Sequence, residues 1–243
     1  MFKLSLLCVA AVLFVASQEA HGKMTCKLPQ VQIPDDWITM VSPCTKKMKE
    51  QVQEELTAAM TYFAMGAHFS KDTVNRPGFA KIFFDSASEE RDHAIKIIGY
   101  LLMRGGLTKD ISQLIRDPVC KYIYNLCYIT FISCFIIYIY LQQPLSETWA
   151  DGLSALKDAL KLEAHVTRKI RDIATTCEEP GREGQDFNDY HLVDWLTGDF
   201  LTEQYEGQRD LAGKISNLGK MLEAHGALGE FLFDKKLLSG ASV

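Results

Sequence analysis

The residues best suited to chemistry lie in the run Ser88-Glu89-Glu90-Arg91-Asp92-His93. An α-helix turns by about 100° per residue, so Glu90 and His93, three apart, leave the same face. A carboxylate and an imidazole in that relation can grip one metal ion. Glu-rich helix faces are usually only solvated, so the pair gains meaning only if other helices supply further ligands.

Apolar periodicity predicts four long helices that could do so. The first runs from near Cys44 to about Ser70, with Val52, Leu56, Ala59, Phe63 and Gly66 at inward spacing, and Glu55 and Tyr62 at the edge of that stripe. Asn75-Arg76-Pro77-Gly78 marks a short turn, which makes the next helix, from about Pro77 to Arg104, an antiparallel neighbour. Phe79, Phe83, Ile97 and Leu101 set its stripe, and Glu90 falls one heptad from both Phe83 and Ile97. A third helix is expected from about Trp149 to Thr176, with Glu163 inward among Leu153, Leu156, Leu160, Thr167 and Ile170. A fourth is expected from about Asn188 to Ala224, where Glu203 and Gln204 sit in a stripe that should be apolar; Ala227 to Leu238 makes a short fifth helix. Each polar residue alone has a bland reading, such as Glu163 as a helix-edge acid beside Lys161. Together, Glu55, Glu90 with His93, Glu163 and Gln204 put an ionisable or polar group into every inward stripe. Buried carboxylates must be compensated, and carboxylates with one imidazole suit iron.

The 243 residues suffice for one large domain, with 47% hydrophobic and 23% charged residues. The net charge of −5 gives no reason to expect nucleic-acid binding. No phosphate-cradling glycine loop and no Ser or Cys nucleophile motif occurs. Lys3, the apolar run Leu6 to Val15 and the small residues Val15-Ala16-Ser17 read as an export signal cleaved after Ser17, or after Gly22. Residues 18–42 then form an extension. Export permits disulfides. Cys26, Cys44 and Cys177 are candidates, and Cys26 and Cys44 could bridge each other or another subunit.

At this point the chain resembles ferritin, specifically heavy-chain-type subunits of the secreted insect kind. The resemblance rests on Glu55 to Met65 (ELTAAMTYFAM), Ser88 to Ala94 (SEERDHA), Leu160 to Glu163 (LKLE), Leu201 to Gln204 (LTEQ) and Glu230 to Lys235 (EFLFDK), in order and at matching spacing. It implies an all-α, ferritin-like four-helix bundle over 43–243, with a long crossover between helices two and three and a short fifth helix. It implies a ferroxidase centre that oxidises Fe(II) to Fe(III). Glu55, Glu90 and His93 would hold the first iron, Glu90 would bridge, and Glu163 would hold the second. Tyr62 would hydrogen-bond near the first, with Glu89 and Gln204 as weaker or supporting groups. It implies iron storage in a cage of many subunits, with self and a light-chain-type subunit as partners. A non-catalytic cage subunit is the alternative that an intact ligand set opposes. Two departures stand out. Asp194 matches one acid of the family's iron channel, but Thr197 replaces the other; Asp92 matches the mineral-nucleating patch, but Ile95 stands where an acid would help.

Residues 121–142 do not fit. After Lys121 the run is uncharged and as long as a membrane span, about 20 residues. A span there would divide the four helices between two sides of a bilayer, so a membrane location is not expected despite 122–141. The crossover must return along about 40 Å, which about 12 extended residues can do without it. Its Ile-, Tyr- and Phe-rich composition suggests a retained intron or gene-model error; a real hydrophobic lid or a membrane-anchored form is the alternative.

Overall fold

A computed structural model describes residues 33–107, 114, 148–178 and 188–240. The expected signal peptide, Cys26 and the 121–142 segment lie outside them. The chain divides at Asp35 into two units; Ile33–Asp35, of the first, form no helix, and all the described helices belong to the unit from Asp36 on. Its helices are α1 (Ser42–Ser70), α2 (Pro77–Met103), α3 (Gly152–Glu178), α4 (Tyr190–Trp195), a π-helical turn (Leu196–Phe200), α5 (Leu201–His225) and α6 (Ala227–Leu238). All regular structure among the described residues is helical, in agreement with the expected bundle. None of these helices is long and apolar enough to cross a membrane.

Local sequence sets the boundaries. Pro43 and Pro77 occupy the first turns of α1 and α2, where a missing N–H costs nothing. Asn75, at φ 48°, closes the tight turn between them. α3 starts at Gly152, three residues later than Trp149, because Asp151 and Ser154 cap it reciprocally: Ser154 N–H donates to Asp151 Oδ1 (2.7 Å) and Asp151 N–H to Ser154 Oγ (3.3 Å). The fourth bundle member is not one continuous α-helix. It is α4 and α5 joined through the π turn, in which Leu201 N–H bonds Leu196 C=O, five residues back.

Each end of the bundle is clamped. At one, the start of α1 meets the end of α3 through a Cys44–Cys177 disulfide, which resolves the pairing that spacing left open. At the same end Arg104, just past α2, donates two hydrogen bonds to Asp189, the cap of α4 (3.1 and 3.0 Å). At the other, α6 docks on the start of α2: Gly78 and Phe79 N–H donate to the buried Asp234 Oδ1 (2.8 and 3.1 Å). Only glycine fits at position 78, since a Cβ would lie 1.9 Å from Asp234 C=O. Glu230 on α6 adds an ion pair to Arg76 at 3.0 Å.

The core is correspondingly in two parts. One includes Met48, Val52, Ile97, Leu101, Ile170 and Phe200; the other Phe69, Phe79, Phe83, Leu156, Leu218 and Phe233. Phe63, expected inward, is instead 56% exposed and edges against Phe84. The inward heptad of α1 runs through Glu55, Tyr62 and Phe69, and Phe63 lies one residue out of phase with it.

Candidate metal centre

α1 places Glu55 inward between Val52 and Ala58–Ala59, with no exposed surface. Its Oε1 accepts from Gln51 Nε2 one turn away, at 2.8 Å. α2 brings in Glu90 and His93, 3% and 5% exposed. With both carboxylates ionised, Oε2 of Glu55 and of Glu90 meets no donor, and neither ring nitrogen of His93 makes a hydrogen bond. Potential ligand atoms of Glu55, Glu90 and His93 lie within 4.8 Å of one another. Buried polar groups rarely go unpaired, and the three residues, converging from two helices, could hold a metal ion.

α3 contributes the buried Glu163, whose Oε1 accepts a short hydrogen bond from Tyr62 OH. Thr167 Oγ1, one turn on, lies 2.8 Å from the Glu163 carbonyl and 2.8 Å from Gln204 Oε1 on α5, which fixes Gln204 inward. Expected Glu55, Tyr62, Glu90, His93, Glu163 and Gln204 are therefore all buried. Glu89 is not: it is exposed, on the outer side of His93. Asp194 lies apart from this cluster, exposed on α4 in a groove shared with Glu178, His191 and Thr197.

Electrostatics follow burial. Desolvation raises Glu55 well above the ordinary carboxylate range, and a hydrogen bond to Glu90 adds to it. Desolvation likewise pushes Glu90 up to about 8, with the charges of Glu163 and Glu89 acting in the same direction. Glu163 is raised by burial against the opposing hydrogen bonds of Tyr62 and Gln204. Tyr62 is raised by burial and by the charge of Glu163. A divalent cation bound at these acids would displace protons from them.

Glu203 was legible only as a polar break in the α5 stripe, yet it belongs to the neighbourhood. Its Oε1 lies 3.4 Å from His93 Nε2 and its Oε2 3.4 Å from Lys96 Nζ. Burial pushes Glu203 upward, but His93 and Lys96 together outweigh it and lower its pKa. Glu89, His93 and Glu203 form a second group of potential ligand atoms within 4.8 Å of one another. Beside it opens an acidic groove containing Asp85, Glu89, Asp92 and Glu203. Thr167 was placed only as a member of the inward stripe and Gln51 was not singled out; their side chains are ordinary polar ones whose role shows only through their partners.

A family model described as a ferritin-like domain matches residues 45–221. The chain is 52% identical to a ferritin heavy chain of Trichoplusia ni over 213 residues, 88% of each chain. It is 49% identical to a ferritin heavy chain of Papilio xuthus over 236 residues, 97% of this chain and 98% of the other. The structure is similar to the crystal structure of Trichoplusia ni secreted ferritin, with a TM-score of 0.73 and 51% identity, covering 90% of this chain and all of that one. With the helical bundle and its buried carboxylate–imidazole cluster, these similarities show that the chain belongs to the ferritin family.

Proposed function

We propose that the chain is a heavy-chain-type ferritin subunit that oxidises iron(II) within its own bundle and stores the iron(III) mineral in a cage of many subunits. The observation that carries this is the convergence of buried ligand atoms of Glu55, Glu90 and His93 within 4.8 Å of one another. Iron is the substrate here. Glu55, Glu90 and His93 hold the first iron(II), Glu90 reaches toward the second, and Glu163 completes it. Tyr62 and Gln204 orient Glu163, the one by its hydroxyl and the other from the opposite helix. Glu89 and Glu203 line the acidic groove and share His93 with this site, so they pass cations inward rather than retain them.

The protons matter to the reaction. Glu55 and Glu90 carry raised pKa values because burial disfavours their charge. Iron(II) binding replaces those protons, so uptake releases acid, and emptying the site takes protons back. The chemistry of electron transfer to oxygen or peroxide is the metal's; the residues gather two ions, keep them dry and set the charge around them. The similarity to a secreted ferritin supports export of this chain; a light-chain-type subunit is its expected partner in the cage. Asp194, with Thr197 in place of a second acid, contributes to the channel that supplies iron. Proton release measured in weak buffer during anaerobic iron(II) titration tests the reading. The expected result is release that is lost in Glu55→Gln/Glu90→Gln; equal release by that variant would refute it.

A further inference from the structure

From His93 a line of aromatic rings leads out of the metal site. The ring centroids of His93 and Phe200 are 5.6 Å apart, those of Phe200 and Trp195 4.8 Å, edge to face, and those of Trp195 and Tyr100 4.2 Å, stacked. Tyr100 is 4% exposed, and its hydroxyl accepts from Arg104 Nη1 at 2.8 Å. That leaves the phenol proton for His191 Nδ1, 2.7 Å away. His191 is exposed, so the line ends at the surface.

The π turn builds this line. In an α-helix residues five apart point about 140° away from each other. The wider turn, closed by the bond from Leu201 N–H to Leu196 C=O, brings Trp195 and Phe200 into contact on one side. Such turns interrupt α-helices frequently at functional sites, and none of the candidate metal ligands lies in this one.

We propose that Trp195 and Tyr100 form a redox relay that supplies an electron to the iron site when a peroxide meets a single iron(II), leaving a neutral radical on Tyr100. The relay rests on the iron oxidation proposed above. Hydrogen peroxide takes two electrons and, from solvent water, two protons, and leaves as two waters. One electron comes from the substrate iron(II), which becomes iron(III). The other comes from Trp195, across the Phe200 ring, and is replaced from Tyr100. The Tyr100 proton moves along its hydrogen bond to His191 Nδ1, so no charge is left on the buried phenol. Without the second electron, a one-electron reduction would release hydroxyl radical inside the bundle. The relay moves that oxidising equivalent to the rim, where an external one-electron reductant can reach it. Neither Trp195 nor Tyr100 touches the metal ligands Glu55, Glu90 or Glu163 through any polar contact, so the role separates from binding.

Two measurements decide it. In the metal-free protein, a pulsed one-electron oxidant that attacks indole makes tryptophan radicals independently of iron. Part of that signal is expected to convert to phenoxyl radical in the parent chain. Tyr100→Phe should remove most of the conversion, His191→Gln should slow it, and Tyr62→Phe should leave it intact. Equal conversion in the parent chain, Tyr100→Phe and Trp195→Phe overturns the relay. In the second arm, peroxide is added to protein carrying one iron(II) per subunit and the sample is freeze-quenched for electron paramagnetic resonance. A tyrosyl signal is expected that Tyr100→Phe and Trp195→Phe both lose while their initial iron-oxidation rates stay unchanged. A signal that survives both substitutions and disappears in Tyr62→Phe overturns the connection to the iron site. Failure of the parent chain to oxidise iron at all would refute the proposed function instead, and the metal-free arm would still decide the relay. Gel filtration confirms that each variant assembles; should Tyr100→Phe not, Trp195→Phe and His191→Gln carry both arms.

Discussion

Replacing Glu90 by Gln should stabilise the metal-free protein, and by an amount that grows with pH. Glu90 is 3% exposed and its pKa is pushed to about 8, against 4.5 for a free carboxyl. The folded-state pKa lies above the unfolded one. Between about pH 4.5 and 8 the folded chain therefore holds a proton that the unfolded chain has lost, and stability falls as pH rises through that window. The slope is about 1.4 kcal/mol per pH unit for one proton. From pH 5 to 8 this amounts to on the order of 4 kcal/mol, and less wherever Glu55 or Glu163 takes up the proton instead. Gln fills the same space and cannot ionise. The variant should match the parent near pH 5 and exceed it near pH 8, by on the order of 10 °C in melting temperature at about 2–4 °C per kcal/mol. Differential scanning fluorimetry of chelator-treated cages at several pH values measures this. The quantity of interest is the difference between variant and parent, which cancels the titration of the rest of the cage. A difference that does not change with pH would refute the burial reasoning. Added divalent metal should reverse the order, because only the parent gains a full ligand set.

Asp234→Ala removes the acceptor of two buried N–H groups at the start of α2 and should cost about 1–3 kcal/mol and loosen α6; thermal unfolding and cage yield on a sizing column report both. Reducing the Cys44–Cys177 disulfide, which closes a sequence separation of 133 residues, should lower stability by about 2–5 kcal/mol, read as a drop in melting temperature with dithiothreitol that Cys44→Ala/Cys177→Ala does not show. Deleting Lys121 to Gln142 should give more large, soluble, iron-loading cage than the full chain, because a long uncharged run rich in Ile, Tyr and Phe promotes association. Equal assembly by the full chain would mean that the segment has a place in the particle.

Most of the bundle was legible because long amphipathic helices carry a strong period. Phe79, Phe83, Ile97 and Leu101 were placed inward by spacing alone, and all are buried. The buried acids were legible for the same reason: Glu55, Glu90 and Glu163 stand where apolar residues should. What spacing did not reach depends on contacts between distant segments. Phe63 shares neighbours with Tyr62 in sequence, but the helix phase is set by packing on α2 and α3, and Phe63 fell outside. The π turn adds one residue to a helix of otherwise ordinary composition, and Leu196 to Phe200 carries no proline or cap to announce it. Glu203 looked like a flaw in a stripe until His93 and Lys96 were seen on either side of it. The Cys44–Cys177 pairing joins helix ends that only the folded topology brings together.

The most direct test of iron oxidation at this site is stopped-flow absorbance after mixing iron(II) and oxygen with assembled Glu90→Ala/His93→Ala protein. The two side chains supply three of the buried atoms without a hydrogen-bond partner at the candidate centre. Their removal also takes away a buried acid whose raised pKa costs stability as pH rises, so the cage should stay intact. The expected result is loss of the rapid oxidation phase in a cage of unchanged size. An unchanged initial rate would place the oxidation elsewhere in the protein.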